Sequence, residues 1–481
     1  MTVDDGAYDI VVIGAGPAGE NLAQYATKDS ALTAVLVERE LVGGECSYYA
    51  CIPSKALLRP VVVAATAAHL GGLGAPGLDR DALLARRDEW VSGYDDAGQL
   101  SWARSAGLDV VRGSARLVGE RRVAVDTSDG ERILQARVAV VIATGSAPVV
   151  PEPHADVLPW GSRDATGLRE VPERLAVVGG GVVACEAATW LAALGSRVTM
   201  IVRGDRLLAG AEPFAGEAVR DALLAAGVDV RLGTDVVEVR RDDPRDTGIG
   251  RVHGGPVRLA LAQRAGGPGD DLEADELLLA LGRRPRLAHL GLDVIGLDEH
   301  SVLSDARPRW LHLVGDASGQ APLTHWGKYH GRVLGEQLAA GDPDPQLPPD
   351  PQSPHGAPVP QVVFTDPQVA WVGRTETAAR AQGLDVVTAH VPWGAAAGAG
   401  LLRDDATGGA TLVVDRDTGR VVGATFVGPD AGELLHAATT AIVGGVPVHV
   451  LRHAVPAFPT ASELWLRLLE ALPTSLRTPS S

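Results

Sequence analysis

The stretch Asp9–Glu38, DIVVIGAGPAGENLAQYATKDSALTAVLVE, decides the fold. Residues 9–14 are an apolar run of strand length that enters a turn built on Gly14, Gly16 and Gly19. A helix is expected through Gln24, and a second apolar run, TAVLVE, ends on Glu38. Strand, glycine turn, helix and strand form a β-α-β unit with the spacing of a dinucleotide-binding fingerprint. The first glycine makes the tight turn. The second lets the backbone approach a pyrophosphate, and the third allows close helix–strand packing. The helix N-terminus offers N–H groups and a positive dipole end to phosphate. Glu38 stands where a carboxylate accepts ribose hydroxyls. The plain alternative is a Gly-rich turn in an ordinary α/β domain; strand, helix and terminal acid together favour the dinucleotide.

The pattern recurs downstream. LAVVG (175–179) reads as a strand, Gly179 and Gly181 make the turn, and Ala184 replaces the third glycine. A helix to about Leu194 and the strand RVTMIV, ending at Val202, complete an internal repeat. Two such units imply two nucleotides, most simply a flavin and a nicotinamide. The second unit carries Val202 where an NAD-preferring unit would carry an acid, followed by Arg203 and then Arg206. Arginine pairs with a 2′-phosphate that a carboxylate would repel. NADPH is therefore the expected nucleotide; NADH, with Arg203 a solvated surface residue, is the competing reading.

The bulk composition sets limits. A chain of 481 residues can hold about three domains. Its net charge of −17 argues against nucleic acid as a partner, because phosphate binding needs a basic face. No uninterrupted apolar run of membrane-spanning length and no signal-type N-terminus is evident, so a cytoplasmic protein without a membrane partner is expected. Three cysteines are no secreted disulfide framework. Lys28, Lys55 and Lys328 are the only lysines in an arginine-rich chain.

Two further segments suit a flavin: VVIATGSAPVVP (140–151), with Thr144 and Gly145 in a small-residue turn, and LHLVGDASG (311–319), a strand ending at Gly315-Asp316. An Asp at that edge can accept a ribityl hydroxyl. The Pro/Asp-rich stretch GDPDPQLPPDPQSPHGAPVP (341–360) reads as a linker into an α+β domain.

The chemistry centres on GGECSYYACIPSK (43–55), with Gly44, Cys46, Cys51, Pro53 and Lys55. Pro53 marks a helix starting near Cys51, whose dipole would stabilise a thiolate. Lys55, four residues on, shares a helical face with Cys51. Zinc would need two more soft or imidazole ligands, and none is close in sequence, so no metal is expected. Inert cysteines are the other reading.

With these residues in view, the chain resembles the class I pyridine nucleotide-disulfide oxidoreductases, the family of dihydrolipoamide dehydrogenase, glutathione reductase and mercuric reductase, from Tyr8 to about Leu469. GGECSYYACIPSK resembles the family's redox-disulfide motif, and GGGVVACE its nicotinamide motif, with Glu186 where the family pairs a Glu with the motif Lys. LALGRRP with Gly282, the Asp316 segment and VVFTDPQVAWVG are also similar. The resemblance implies an α/β fold of two Rossmann-like domains plus a C-terminal α+β dimerisation domain. Its expected parts are an FAD domain at 1–150 and 285–345, an inserted NAD(P) domain at 151–284, a linker at 346–358 and an interface domain at 359–481. It implies a homodimer, and it places Ala115 among the flavin-binding positions. By the same resemblance, electrons pass from the nicotinamide through FAD to the disulfide. Cys51 would be the flavin-side thiol and Cys46 the interchange thiol that meets a small-molecule acceptor. Cys185, inside the second nucleotide helix, reads as a packed residue.

One position departs. The family carries His-x-x-x-x-Glu near its C-terminus; here the segment is AVPAFPTASE, with Phe458 at the His position and Glu463 retained. His453 is out of register. Thiol–disulfide exchange needs a proton donor and a base, and Phe458 is neither. A Phe here resembles 2-ketopropyl-coenzyme M oxidoreductase/carboxylase, which however also replaces the Glu. Tyr48 and Tyr49 are bulkier than the residues usual between the cysteines; an aromatic pocket and ordinary packing both stay open. The expected activity is NADPH-dependent reduction of an acceptor through the Cys pair. Direct reduction from flavin, as in a quinone reductase or diaphorase, is the main alternative. A thiolate-assisted tailoring reaction and a non-catalytic redox sensor or assembly subunit are further ones.

Overall fold

The computed structural model describes residues 6–478, apart from 268, 305, 343, 344, 346, 347 and 352–355. Six of the thirteen residues of the expected linker, 346–358, therefore lie outside the described residues. The chain forms two compact units: residues 1–53, 88–149 and 282–357 in one, and 54–87, 150–281 and 358–481 in the other.

The first unit is built on the opening β-α-β. Strand β1 (Ala7–Ile13) pairs in parallel with β2 (Ala34–Glu38) and with the strand Gly130–Ile142. The strand Asp109–Arg112 flanks β2 in parallel, and Leu311–Leu313 lies parallel to the end of Gly130–Ile142. An antiparallel ladder of Arg122–Thr127 and Ser114–Gly119 extends the other edge. The apolar runs seen in the sequence are buried on both faces: Ile10, Val11 and Val12 have no exposed surface.

Helix α1 (Pro17–Thr27) starts on Pro17, whose missing N–H costs nothing at the first helical position. Gly14 makes the turn before it at φ +108°, and a Cβ there would lie 2.3 Å from the Ala143 carbonyl oxygen. α1 packs on the helix Thr324–Ala339, along Gly327, Gly331 and Gly335. A Cβ on Gly331 or Gly335 would come within 2.4 or 2.6 Å of an α1 carbonyl oxygen, so only glycines spaced by four allow this approach. Between β2 and the third helix lies a short α2 (Gly44–Tyr48), which the sequence reading did not foresee. Helix α3 (Cys51–Ala68) begins at Cys51.

The second unit repeats the nucleotide motif. Its four parallel strands run in the order Asp229–Leu232, Arg197–Val202, Arg174–Val178, Glu276–Leu279. The helix Val182–Ala193 follows the Gly179–Gly181 turn and buries Ala184 and Cys185 completely. After residue 358 comes a five-stranded antiparallel sheet, ordered 361–363, 368–373, 420–428, 409–415, 386–392, with the amphipathic helix Glu463–Ala471 packed against it.

By length and composition, 44–68 alone among the described residues could cross a membrane. It is two helices broken at Tyr49, it carries Lys55 and Arg59, and Leu57, Leu58 and Val61 of α3 are packed into a hydrophobic core.

Candidate redox site

The candidate residues of each unit can be built from local rules. In the first unit, Glu38 ends β2 with its carboxylate held by two backbone amides. The Ala15 N–H donates to Oε2 at 2.9 Å and the Glu40 N–H to Oε1 at 2.8 Å. The acid is thus locked to the glycine turn, as a ribose acceptor requires. No side chain caps the α1 N-terminus, so its amides are left to other acceptors. Across the sheet, Asp316 lies in a 3-10 turn just beyond the strand Leu311–Leu313 rather than on it. Its Oδ2 accepts from the Ser146 hydroxyl at 2.5 Å, and Ser146 in turn accepts from Arg283 Nε at 2.7 Å. The Thr144 hydroxyl donates to the Arg286 carbonyl at 2.6 Å, and Gly145 turns with φ +72°. Gly282 takes φ +105° and accepts from the Val149 N–H. Ala115 lies on the antiparallel ladder strand Ser114–Gly119, packed against the sheet core.

Cys46 and Cys51 are free thiols that α2 and the first residue of α3 bring into hydrogen-bonding contact. Gly44 sits over Gly16, so the redox loop rests on the first nucleotide turn. The contact with Cys51, followed by burial, pushes the Cys46 thiol far up; the Thr324 hydroxyl and the Lys328 ammonium oppose this. Thr324 Oγ1 is 3.2 Å from Cys51 Sγ, at the start of a 16-residue helix whose positive dipole end faces the sulfur. Thr324 was not picked out from the sequence, because 273 residues separate it from Cys51. Glu45, beside Cys46, lies 3.6 Å from Arg286. Tyr48 is buried, and Tyr49 packs on Tyr94 with ring centroids 5.4 Å apart.

In the second unit, Lys55 donates to both oxygens of Glu186, at 3.1 and 2.9 Å. Glu186 is buried and also accepts from the Phe364 N–H at 2.9 Å, while the Lys55 ammonium stands 4.6 Å over the Phe364 ring. The Lys–Glu pair expected from the motifs is therefore made; Phe364 as its third member was not foreseen. Gly179 and Gly181 form the second nucleotide turn, and no side chain caps the helix that Gly181 opens. Arg203 is exposed just past the buried Val202, and Arg206 is tethered to the Ala209 carbonyl at 2.9 Å. Cys185 is fully buried, and burial raises its thiol to about 12, which makes it an inert packed residue.

Phe458 is 75 % exposed. Glu463 opens the helix Glu463–Ala471, is 5 % exposed, and its Oε2 has no hydrogen-bond partner. A carboxylate in a first helical turn is favourable by itself.

The chain belongs to the pyridine nucleotide-disulphide oxidoreductases: residues 8–307 match that family's model and residues 359–468 match its dimerisation domain. Members of this family are flavoproteins that use FAD and a pyridine nucleotide, and the dimerisation domain is the mark of their homodimers. The relatives are enzymes of more than one kind. A dihydrolipoyl dehydrogenase of Vibrio cholerae is 32 % identical over 94 % of this chain and 93 % of its own length. Another from Haloferax volcanii is 32 % identical over 96 % and 95 %. A mercuric reductase of Staphylococcus aureus is 29 % identical over 95 % and 81 %. Among solved structures, the Cu(II) complex of the HOCl-induced flavoprotein disulfide reductase RclA from Escherichia coli shares the fold, with a TM-score of 0.80 at 24 % identity over 97 % of this chain and all of that one.

Proposed function

We propose that this protein is an FAD-dependent oxidoreductase that draws electrons from NADPH and delivers them through the Cys46–Cys51 pair to a small-molecule acceptor. The observation that carries this reading is the contact between the two thiols, with the Thr324 hydroxyl and its helix N-terminus on Cys51. That is the environment in which one thiol is held as a thiolate while its neighbour keeps the proton.

The residues present suit FAD. The uncapped α1 amides would take its pyrophosphate, Glu38 a ribose and Asp316 the ribityl chain. Bound FAD would supply a two-electron carrier between nicotinamide and disulfide. Arg203 and Arg206 would take the 2′-phosphate of NADPH. The expected domains are an FAD part at 1–150 and 285–345, an NAD(P) part at 151–284 and an interface part at 359–481, and the dimer is expected to work in the cytoplasm.

Phe458 narrows the acceptor. With no imidazole at that position, reduction of generic disulfides should be slow, and an acceptor that carries its own acid, or another electrophile, suits the site better. The exposed phenyl ring also favours a second reading, in which an acceptor such as a quinone is reduced directly from flavin. Anaerobic reduction with one equivalent of NADPH decides between them. A long-wavelength thiolate–flavin band that vanishes in Cys51→Ser, with acceptor turnover abolished in Cys46→Ser, supports the first reading. Turnover unchanged in Cys46→Ser refutes it.

A further inference from the structure

Tyr49 and Tyr94 form an aromatic pair that the reading above does not use. Their ring centroids lie 5.4 Å apart with the planes inclined at 31°, and both residues are half-buried. Tyr49 closes α2, its N–H donating to the Glu45 carbonyl at 2.7 Å. It therefore follows Cys46 by one helical turn, on the same side of α2. Tyr48 is buried beside it, with ring centroids 6.5 Å apart.

Tyr94 meets Tyr49 from a costly backbone. Ser92, Gly93 and Tyr94 take φ +51°, +61° and +64°, three successive residues in the left-handed region. Glycine enters that region freely, whereas a tyrosine there is an outlier. The turn is fixed on both sides. The buried Val91 accepts from the Tyr94 N–H at 2.9 Å. Asp96 Oδ2 accepts at 2.8 Å from the N–H of Val42, two residues before α2 begins. The turn is thus bolted to the base of the redox loop. A ring needed only for packing could be supplied from relaxed backbone; strain of this kind gathers at ligand clamps.

We propose that the Tyr49–Tyr94 pair is an acceptor subsite beside Cys46, and that the acceptor is an aryl disulfide, with its sulfurs carried on aromatic or heteroaromatic rings. The proposal rests on the redox-pair reading above. Two independent observations meet in it. The pair offers ring faces and edges on which a third ring can stack. Phe458 stands where the family carries its imidazole, and an aryl thiolate, being weakly basic, departs without a proton. The reduced pair holds one proton on Cys46 and one negative charge on Cys51. The contact with Cys51 is the main hold on that proton, so the proton passes to Cys51 along the same contact. The Cys46 thiolate attacks a ring-bound sulfur: a Cys46–acceptor bond forms, the acceptor S–S bond breaks, and one aryl thiolate leaves. Cys51 gives its proton to solvent and displaces the second aryl thiolate, which restores the Cys46–Cys51 disulfide. Two electrons leave on the two aryl thiolates, and one proton is released.

The test compares two probes on the holoenzyme with NADPH: dithiodipyridine, an aryl disulfide whose thione product is read directly, and hydroxyethyl disulfide, an aliphatic one. Tyr94→Gly should lower kcat/KM for the aryl probe by about tenfold relative to the aliphatic probe, mainly through KM, the scale of one lost ring contact. Tyr94→Phe should keep the wild-type ratio. Because glycine relieves the left-handed backbone, Tyr94→Gly should unfold at or above the wild-type temperature. Tyr49→Leu should lower the same ratio, and it decides should Tyr94→Gly not fold. An unchanged ratio in these variants overturns the proposal alone. So does a lower unfolding temperature in Tyr94→Gly with equal losses on both probes, which would make the ring a packing residue. Aryl turnover that survives Cys46→Ser overturns the redox-pair reading itself, and the proposal with it.

Discussion

Lys55 and Glu186 should respond unequally to removal, and the inequality follows from their burial. Glu186 is 4 % exposed, whereas the Lys55 side chain keeps 36 % of its surface. Lys55→Met leaves a buried carboxylate with the Phe364 N–H as the one remaining donor of the three described here. Breaking a buried pair in this way costs about 3 kcal/mol. Glu186→Gln still accepts from Phe364, and Lys55 can turn to water while staying over the Phe364 ring. Its cost is a charge-assisted bond discounted for the exposed lysine, about 1 kcal/mol. The double variant removes the stranded charge and should recover part of the Lys55→Met loss. At a conversion of about 2–4 °C per kcal/mol, thermal unfolding of the holoenzyme followed by circular dichroism should drop by roughly 6–12 °C for Lys55→Met and roughly 2–4 °C for Glu186→Gln. Equal losses in the two single variants, or a double variant worse than Lys55→Met, would refute this account.

Placing an imidazole with Phe458→His, five residues before Glu463, whose Oε2 has no hydrogen-bond partner, should raise lipoamide or glutathione disulfide turnover by about tenfold and leave quinone reduction nearly unchanged. Wild-type turnover of lipoamide already equal to that of a dihydrolipoamide dehydrogenase would sink this expectation. Arg203→Ala should lower kcat/KM for NADPH by about tenfold with little change for NADH, as stopped-flow flavin reduction would report; equal effects on both nucleotides would make Arg203 a surface residue. His312 and His330 are buried, and burial lowers each to about 4. Their folded forms bind fewer protons than the unfolded chain, so the stability they support is complete above about 6.5 and is lost as pH falls toward 4. Glu20, raised to about 7, binds more protons when folded and offsets one histidine between 4.5 and 6.5, leaving a net slope of about 1.4 kcal/mol per pH unit. Urea denaturation across pH 4.5–7 should show that slope, and His330→Leu should flatten it; an unchanged acid profile in that variant would count against the assignment.

Much of this molecule is local, and what is local could be read directly. Both β-α-β units, their glycine turns and their terminal residues lie within runs of about thirty residues, where strand burial, helix start and turn sterics are set by neighbours in the chain. Pro53 likewise announced a helix near Cys51, and the family resemblance implied Glu186 as the partner of Lys55. Tertiary structure decided what depends on contacts distant in sequence. Thr324 reaches Cys51 across 273 residues, and Phe364 reaches Glu186 across 178. The four-residue glycine spacing in the Thr324 helix has meaning only once α1 lies against it. Glu20 was not singled out from the sequence, and its ionisation is governed by burial that only the folded chain creates. Sequence determined the residue types and their local geometry; desolvation and the meeting of distant groups, which set the chemistry of the thiols, exist only in the folded chain.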